Sequence, residues 1–334
     1  MQVRRISSPP QNAAAFIAET AAGLGSLYGP AAAAHYLSVA PDGMRAALAH
    51  ASLYAIAAWD DGAQALGCLT AVQRPPAAHI TYLHVLQPFE GRGVEKALVE
   101  RAAADLRQDG LDHIACECVP FCRLNLTPAF RACGFEHIER LLMLAPLRHR
   151  SLCAIEQGVE INQTLRDEPR PVAACTPTHW EDVAGCLVDA YRDGPGRRLH
   201  IDVSAPELAY AFVSRAATGA FGRVRPGYML AVFDAGRCVG AVLGCEIAPN
   251  TGFVLQVAVR PEYRRRGIAG RLLQRLAEAF RDAGLTQAAL GVTKTNPARS
   301  LYERLGFAPL RDVDAYVWWR PGAAPGTPDS NSQI

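Results

Sequence analysis

Arg264-Arg265-Arg266-Gly267-Ile268-Ala269-Gly270 joins an apolar strand to an amphipathic helix, and the reading of this junction decides the fold. Upstream, Phe253-Val254-Leu255-Gln256-Val257-Ala258-Val259 is apolar and β-branched, the composition of a mostly buried strand, and Arg260-Pro261 ends it. Downstream, Ile268, Leu272, Leu273, Leu276, Ala277 and Phe280 recur at helical spacing until Gly284 supplies a left-handed stop. A glycine-containing turn therefore delivers a helix N-terminus to the end of a strand. Unpaired amide N–H groups and the positive end of the helix dipole converge there, which suits an anion, and Gly267 and Ala269 let the backbone approach it closely. The run reads as a phosphate cradle. A Walker-type loop would need Gly-Lys-Ser/Thr where this chain has Gly270-Arg271-Leu272. A Rossmann fingerprint would need three spaced glycines and an acidic residue after the next strand, and nothing equivalent stands near Leu290 to Val292.

A short strand, Ala288-Ala289-Leu290-Gly291-Val292, follows the helix, and then comes Asn296-Pro297-Ala298-Arg299-Ser300-Leu301-Tyr302-Glu303-Arg304-Leu305-Gly306-Phe307. Taken together, residues 172–320 resemble the GNAT superfamily of acetyl-CoA-dependent N-acetyltransferases. Arg264, Gly267 and Ala269 fill the family's acyl-CoA motif, and Leu301-Tyr302 with Gly306-Phe307 matches its second motif. One position departs from the pattern: where the family often carries Asn seven places before the tyrosine, this chain has Thr295, with Asn296 beside it.

A second copy lies in the first half. Tyr228 and Tyr54, Asp234 and Asp60, Gly236 and Gly62, Gly267 and Gly93, and Gly284 and Gly110 are each 174 residues apart. The spacing drifts to 173 for Pro261 and Pro88 and to 172 for Gly306-Phe307 and Gly134-Phe135, as a duplicated domain leaves behind. The fold expected is α/β (α+β): two tandem GNAT-like domains, each a mixed, mainly antiparallel sheet flanked by helices, similar in layout to mycothiol synthase. The boundaries expected are 1–147 for a degenerate domain, 148–171 for a charged linker, 172–320 for the catalytic domain and 321–334 for a disordered tail. His137 to Leu147 reads as the closing strand of the first domain, and hairpins at Asp60-Asp61-Gly62 and Asp234-Ala235-Gly236 join the second and third strands of each copy.

The copies differ in chemistry. The first turn reads Phe89-Glu90-Gly91-Arg92-Gly93-Val94-Glu95, with Glu90 and Glu95 where the second has Arg264 and Ala269, so two carboxylates would face a diphosphate. Phe130 stands where the second copy has Tyr302. The first domain is therefore expected to bind the coenzyme poorly, and to shape the substrate cleft or buttress its partner.

The resemblance implies acetyl-CoA as co-substrate, no metal, and attack by a primary amine of a small molecule in a ternary complex. It further implies that Val257, Ala258 and Val259 splay from the next strand and offer backbone groups to the pantetheine arm and the oxyanion. Arg264, Arg265, Arg266, Gly267, Ile268, Ala269, Gly270 and Asn296 would hold the coenzyme, and Tyr302 would be the general acid. Glu246, Glu262, Asp193, Asp202 and His200 are candidates for the base, and Gln256 either faces the cleft or is a satisfied buried amide. Thr178 is positioned to cap a helix through Val183, Leu187 and Ala190, and Ser204 to start another through Leu208 and Phe212, the region that borders the acceptor in the family. The alternatives are a non-catalytic acyl-CoA sensor or scaffold and a peptide N-terminal acetyltransferase.

The net charge of +2, with basic and acidic residues interspersed, argues against a nucleic-acid partner. No uncharged apolar span approaches the roughly 20 residues a membrane helix needs. The ten cysteines are scattered, with Cys116, Cys118 and Cys122 the one cluster, and read as reduced thiols rather than a metal site. A cytoplasmic monomer or homodimer is the expectation.

Overall fold

The computed structural model describes residues 1–61, 64–117, 125–148, 152, 171–192 and 196–323. The first half of the chain runs β1 (Gln2–Arg5), α1 (Ala13–Tyr28), α2 (Pro30–Leu48), β2 (Leu53–Trp59), β3 (Ala65–Arg74), β4 (Ala77–Val85), α3 (Val94–Gln108), β5 (His113–Glu117), α4 (Thr127–Ala132) and β6 (Glu136–Pro146). The second runs β7 (Val172–Ala174), α5 (Trp180–Tyr191), α6 (Pro206–Ala217), β8 (Met229–Asp234), β9 (Arg237–Ala248), β10 (Thr251–Val259), α7 (Ile268–Asp282), β11 (Gln287–Thr293), α8 (Arg299–Arg304) and β12 (Ala308–Trp319).

Packing divides the chain into two compact units that are not two consecutive pieces: 1–140 with 313–334 form one, and 141–312 the other. In the first unit the strand order is β1-β2-β3-β4-β5-β12, with β12 antiparallel to β5 from Ala315↔Glu117 to Trp319↔His113. In the second it is β6-β11-β10-β9-β8-β7. Each unit is thus completed by a strand from the opposite half of the chain. Tyr316 of β12 stacks on Phe130 at 4.1 Å in the first core, while Leu141, Met143, Ala145 and Leu147 are buried in the second. The stretch expected as a strand, His137 to Leu147, falls on β6 (Glu136–Pro146), but from Leu141 onward it serves the second unit rather than closing the first. The expected linker falls mainly on 149–151 and 153–170, and the expected tail on 324–334, which lie outside the described residues.

In the second unit α7 lies on the sheet through the face its sequence marks: Ile268, Leu272, Leu273, Leu276, Ala277 and Phe280 are all buried. Burying each large aliphatic side chain contributes about 1.5–3 kcal/mol. The helix comes this close because β9 and β10 present glycines to it. A Cβ at Gly240 would stand 2.7 Å from Ile268 Cγ2, and one at Gly252 only 2.4 Å from the Phe280 ring. Ala235 (φ 48°) and Gly236 (φ 81°) give the β8–β9 hairpin its two left-handed central residues, the geometry that matches the twist of the strands. The matching turn in the first unit includes Gly62, which lies outside the described residues.

The entry to α5 differs from expectation. Thr176, not Thr178, closes a capping box with His179 around a 3-10 turn, Pro177–His179, which leads into the helix. Pro177 fixes that choice, since a proline at the first helical position suits the backbone just after a cap. Ser204 bonds the Ile201 carbonyl at 2.7 Å and ends a 3-10 turn, and α6 begins at Pro206 for the same reason. No helix among the described residues is long and apolar enough to cross a membrane.

Candidate active site

The site is built where β10 parts from β11. The parallel ladder runs from Thr251↔Gln287 to Val254↔Leu290 and stops, while the antiparallel ladder to β9 continues from Gln256↔Leu243 to Val259↔Gly240. Leu255 is the extra residue of a β-bulge at the parting point. Among the described residues the edge of β10 from Leu255 to Val259 therefore has no neighbouring strand on the β11 side, and it carries Val257, Ala258 and Val259. A chain laid along that edge can take up main-chain hydrogen bonds as an added strand does.

At the end of this edge stands the turn into α7. Gly267 is the N-cap in the left-handed region (φ 75°), and Arg265 is left-handed too (φ 63°). A Cβ at Gly267 would meet nothing within 4 Å, so its glycine answers a backbone need, not crowding. The first bond that closes the helix runs from Arg271 N–H to the Gly267 carbonyl, which leaves the amides of Ile268, Ala269 and Gly270 with no carbonyl one turn earlier. No side chain among the described residues caps them.

The three arginines are not equivalent. Arg264 turns back into the protein: its Nη2 donates to the Ala190 carbonyl at 2.7 Å and its Nε to the Val259 carbonyl at 3.3 Å, tying the last turn of α5 to the end of β10. Arg266 donates to the Glu262 carbonyl at 3.0 Å and lies over the Tyr263 ring. Arg265 is exposed. Asn296 accepts the Ala298 N–H at 2.9 Å through its side chain, an Asx turn that starts α8. Tyr302 on α8 is 7 % exposed and packs edge-on to Phe307. Its place after β11 follows the sequence motif.

At the end of α5 stands a pairing the sequence did not name. Gln256, 8 % exposed on the free stretch of β10, accepts a hydrogen bond from the Tyr191 hydroxyl at the end of α5. His200 meets the Tyr191 ring edge-on at 5.9 Å. A Cβ at Gly196 would stand 3.2 Å from Tyr191 and 3.3 Å from His200, so this loop glycine is the close spacer between them. A polar residue inside an apolar strand is the signal that marked Gln256. Nothing local marks Tyr191 as its partner.

Of the candidate bases, Asp193 lies outside the described residues. Asp202 pairs with Arg215 at 2.8 Å. Glu262 is exposed and meets Arg237 at 3.4 Å. Burial alone would raise the Glu246 carboxyl, but hydrogen bonds from Arg225 and Tyr228 outweigh it and hold it below the usual range, which makes it a poor proton acceptor at neutral pH. His200 is the one of these that sits beside the Gln256–Tyr191 pair. Among the described residues no cluster of His, Cys, Asp and Glu is arranged to hold a metal ion.

The first unit keeps this backbone and changes the side chains. Among the described residues the β4–β5 ladder ends at Ile80↔Cys116, Thr81 is the extra residue of a bulge against β3, and Gly91 (φ 72°) and Gly93 (φ 83°) repeat the two left-handed positions. Glu95 stands in the first turn of α3, its Oε2 buried with no hydrogen-bond partner.

A model of the acetyltransferase (GNAT) family matches residues 27–135 and 180–307. The chain belongs to the GNAT family. It is an N-acetyltransferase with two GNAT domains in tandem, and the family's acyl donor is acetyl-CoA. A GCN5-related N-acetyltransferase from Sphaerobacter thermophilus is similar over 97 % of both chains, at 19 % identity and a TM-score of 0.61. A tandem GNAT protein from the clavulanic acid biosynthesis pathway is similar over 98 % of this chain and 99 % of its own, at 15 % identity and a TM-score of 0.58. At these identities the likeness is one of fold. The N-alpha-acetyltransferase MAK3 of Arabidopsis thaliana is 32 % identical over 87 residues, and the match spans 25 % of this GNAT chain and 45 % of that protein.

Proposed function

We propose that the second unit transfers the acetyl group of acetyl-CoA to a primary amine of a small molecule, by direct attack in a ternary complex. The observation that carries this reading is the free edge of β10 beyond Val254, which ends at the uncapped N-terminus of α7. The pantetheine arm lies along Val257 to Val259 as a surrogate strand, and the diphosphate meets the amides of residues 265–270 and the dipole of α7. Arg265 is exposed and has no side-chain tie among the described residues, so it meets the phosphates directly, while Arg264 positions the turn.

The amine nitrogen attacks the thioester carbon, and an N–H of the free strand stabilises the oxyanion. The carbon–sulfur bond then breaks, and Tyr302 gives its phenolic proton to the leaving thiolate. An alkylamine with a pKa of about 10.4 needs roughly 4 kcal/mol to lose its proton near neutral pH, and His200 or water beside it takes that proton. Tyr191 and Gln256 form the wall that orients the acceptor. In the first unit Glu90 and Glu95 repel a diphosphate, so one acetyl-CoA binds per chain.

Calorimetry with acetyl-CoA and thiol release on an amine panel test this reading. One site per chain and turnover on a small amine are expected; absence of coenzyme uptake sinks it. The 32 % identity to an N-alpha-acetyltransferase favours a second reading, acetylation of a peptide N-terminus, and short peptides in the same assay separate the two.

A further inference from the structure

Arg260 follows the last residue of β10 and is only 4 % exposed, although it carries a full charge. Its guanidinium makes a three-way fork. Nε donates to the Cys238 carbonyl of β9 at 2.7 Å, Nη2 pairs with Asp182 at 3.5 Å, and Nη1 pairs with Asp189. Both carboxylates belong to α5, two turns apart on the face that meets the sheet, and Asp182 also accepts the Cys238 N–H. Between them lies Gly185, where a Cβ would stand 3.5 Å from Nη2. The exposed Arg192 and Arg237 share the Asp189 carboxylate, Arg237 at 3.5 Å.

Taking these charges out of water costs free energy that their attraction does not reliably return, and apolar side chains of the same volume often stabilise as well or better. The bridge is therefore explained by what it fixes. The buried side chains of α5 are Val183, Ala184, Cys186 and Leu187, whereas Val188 to Tyr191 are half-buried. The last turn of this helix thus has the weakest hold on the core. The end of β10 is held independently: its ladder to β9 runs to Val259↔Gly240, and the Arg260 N–H extends it to the Val239 carbonyl at 3.0 Å. Arg260 carries that fixed position over to Asp189, two residues before Tyr191. The internal repeat sets Gln87 opposite Arg260, at the 173-residue spacing of Pro88 and Pro261, and Gln87 is uncharged and exposed. The fork belongs to the unit that keeps the arginine turn.

We propose that Arg260 is a positioning residue for acetyl transfer: through Asp189 it sets the last turn of α5, and with it Tyr191, against Gln256 on β10. The assignment rests on the reading in which Tyr191 and Gln256 orient the acceptor amine. Arg260 acts at one remove and meets neither substrate. A lysine does not replace it, because one compact ammonium on a flexible stem lacks the planar fork that spans a carbonyl and two carboxylates.

The test uses the full chain grown with meta-fluorotyrosine, the fluorine resonances of Tyr191 and Tyr302 being assigned by their loss in Tyr191→Phe and Tyr302→Phe. Two variants are compared with the unaltered protein: Arg260→Lys, and a triple variant that joins Arg260→Met to Asp182→Asn and Asp189→Asn. The triple variant leaves no carboxylate of the bridge unpaired, so it is read where Arg260→Met alone does not fold. With no ligand present, both variants should shift or split the Tyr191 resonance and leave that of Tyr302 in place. In two-substrate thiol release, kcat/KM for the amine should fall about tenfold or more in both, with KM for acetyl-CoA within about twofold of the unaltered protein. An unmoved Tyr191 resonance in either variant overturns the proposal, as does an equal disturbance of Tyr302 or a kinetic change confined to acetyl-CoA. If no amine is turned over, the acceptor assignment fails by itself, and the fluorine spectra, which need no substrate, still decide for or against Arg260.

Discussion

Arg264 and Ala190 are 74 residues apart in the chain, and the guanidinium of the first donates to the carbonyl of the second at 2.7 Å. The arginine at the head of the coenzyme motif thereby joins the turn that would meet the diphosphate to the helix that carries Tyr191. One side chain couples the end of β10 to the last turn of α5.

Replacing it should disturb both. Arg264→Leu is expected to lower stability by about 1 kcal/mol, the usual contribution of such a hydrogen bond. It should also raise KM for acetyl-CoA and for the amine together, whereas Arg265→Leu should raise KM for acetyl-CoA alone. Urea melts and two-substrate kinetics read these effects; a change confined to acetyl-CoA in Arg264→Leu would count against the coupling.

Two glycines of the site separate strain from crowding. Gly267→Ala forces a left-handed alanine into open space and should cost about 1–2 kcal/mol. Gly240→Ala puts a Cβ 2.7 Å from Ile268 and should cost about 1–3 kcal/mol by lifting the start of α7 off the sheet. Relief by a second change, Ile268→Ala, is expected for Gly240→Ala and not for Gly267→Ala, and thermal melts of the four variants check it.

Tyr302→Phe keeps the ring that packs on Phe307 and removes the hydroxyl. Its kcat should fall by about a hundredfold or more, the range for loss of a positioned acid, with KM for acetyl-CoA little changed. Stopped-time thiol assays measure both constants.

Acid stability should follow two tyrosine-bound carboxylates, one in each unit. Tyr228 donates to Glu246 at 2.9 Å and Tyr54 to Asp105 at 2.9 Å. Burial works to raise both carboxyls, yet hydrogen bonds, from Arg225 with Tyr228 and from Arg101 with Tyr54, leave both below their usual values. A folded-state pKa below the unfolded one means stability that is complete above the unfolded value, about 4.3 for Glu and 3.9 for Asp, and is lost as pH falls through the folded value. Glu246→Gln and Asp105→Asn should therefore flatten the decline of stability below about pH 4 and lower stability at pH 7. Denaturant titrations from pH 2 to pH 7 would show it.

Much of this protein was legible in its residues. The strand, the left-handed Gly267 and the amphipathic face from Ile268 to Phe280 follow from preferences that act within a turn or two of chain. The 174-residue offset exposed the duplication, and even the bulges at Leu255 and Thr81 obey it. What the tertiary structure alone decided are pairings across long separations. An apolar strand such as Leu141 to Leu147 satisfies either sheet by its pattern, and only packing assigns it to the second unit and Ala315 to Trp319 to the first. Arg264 reaching Ala190, Tyr191 reaching Gln256 and Glu19 reaching His84 are likewise settled by where whole elements come to rest, because a side chain's hydrogen-bonding capacity names no partner until the fold brings one within reach.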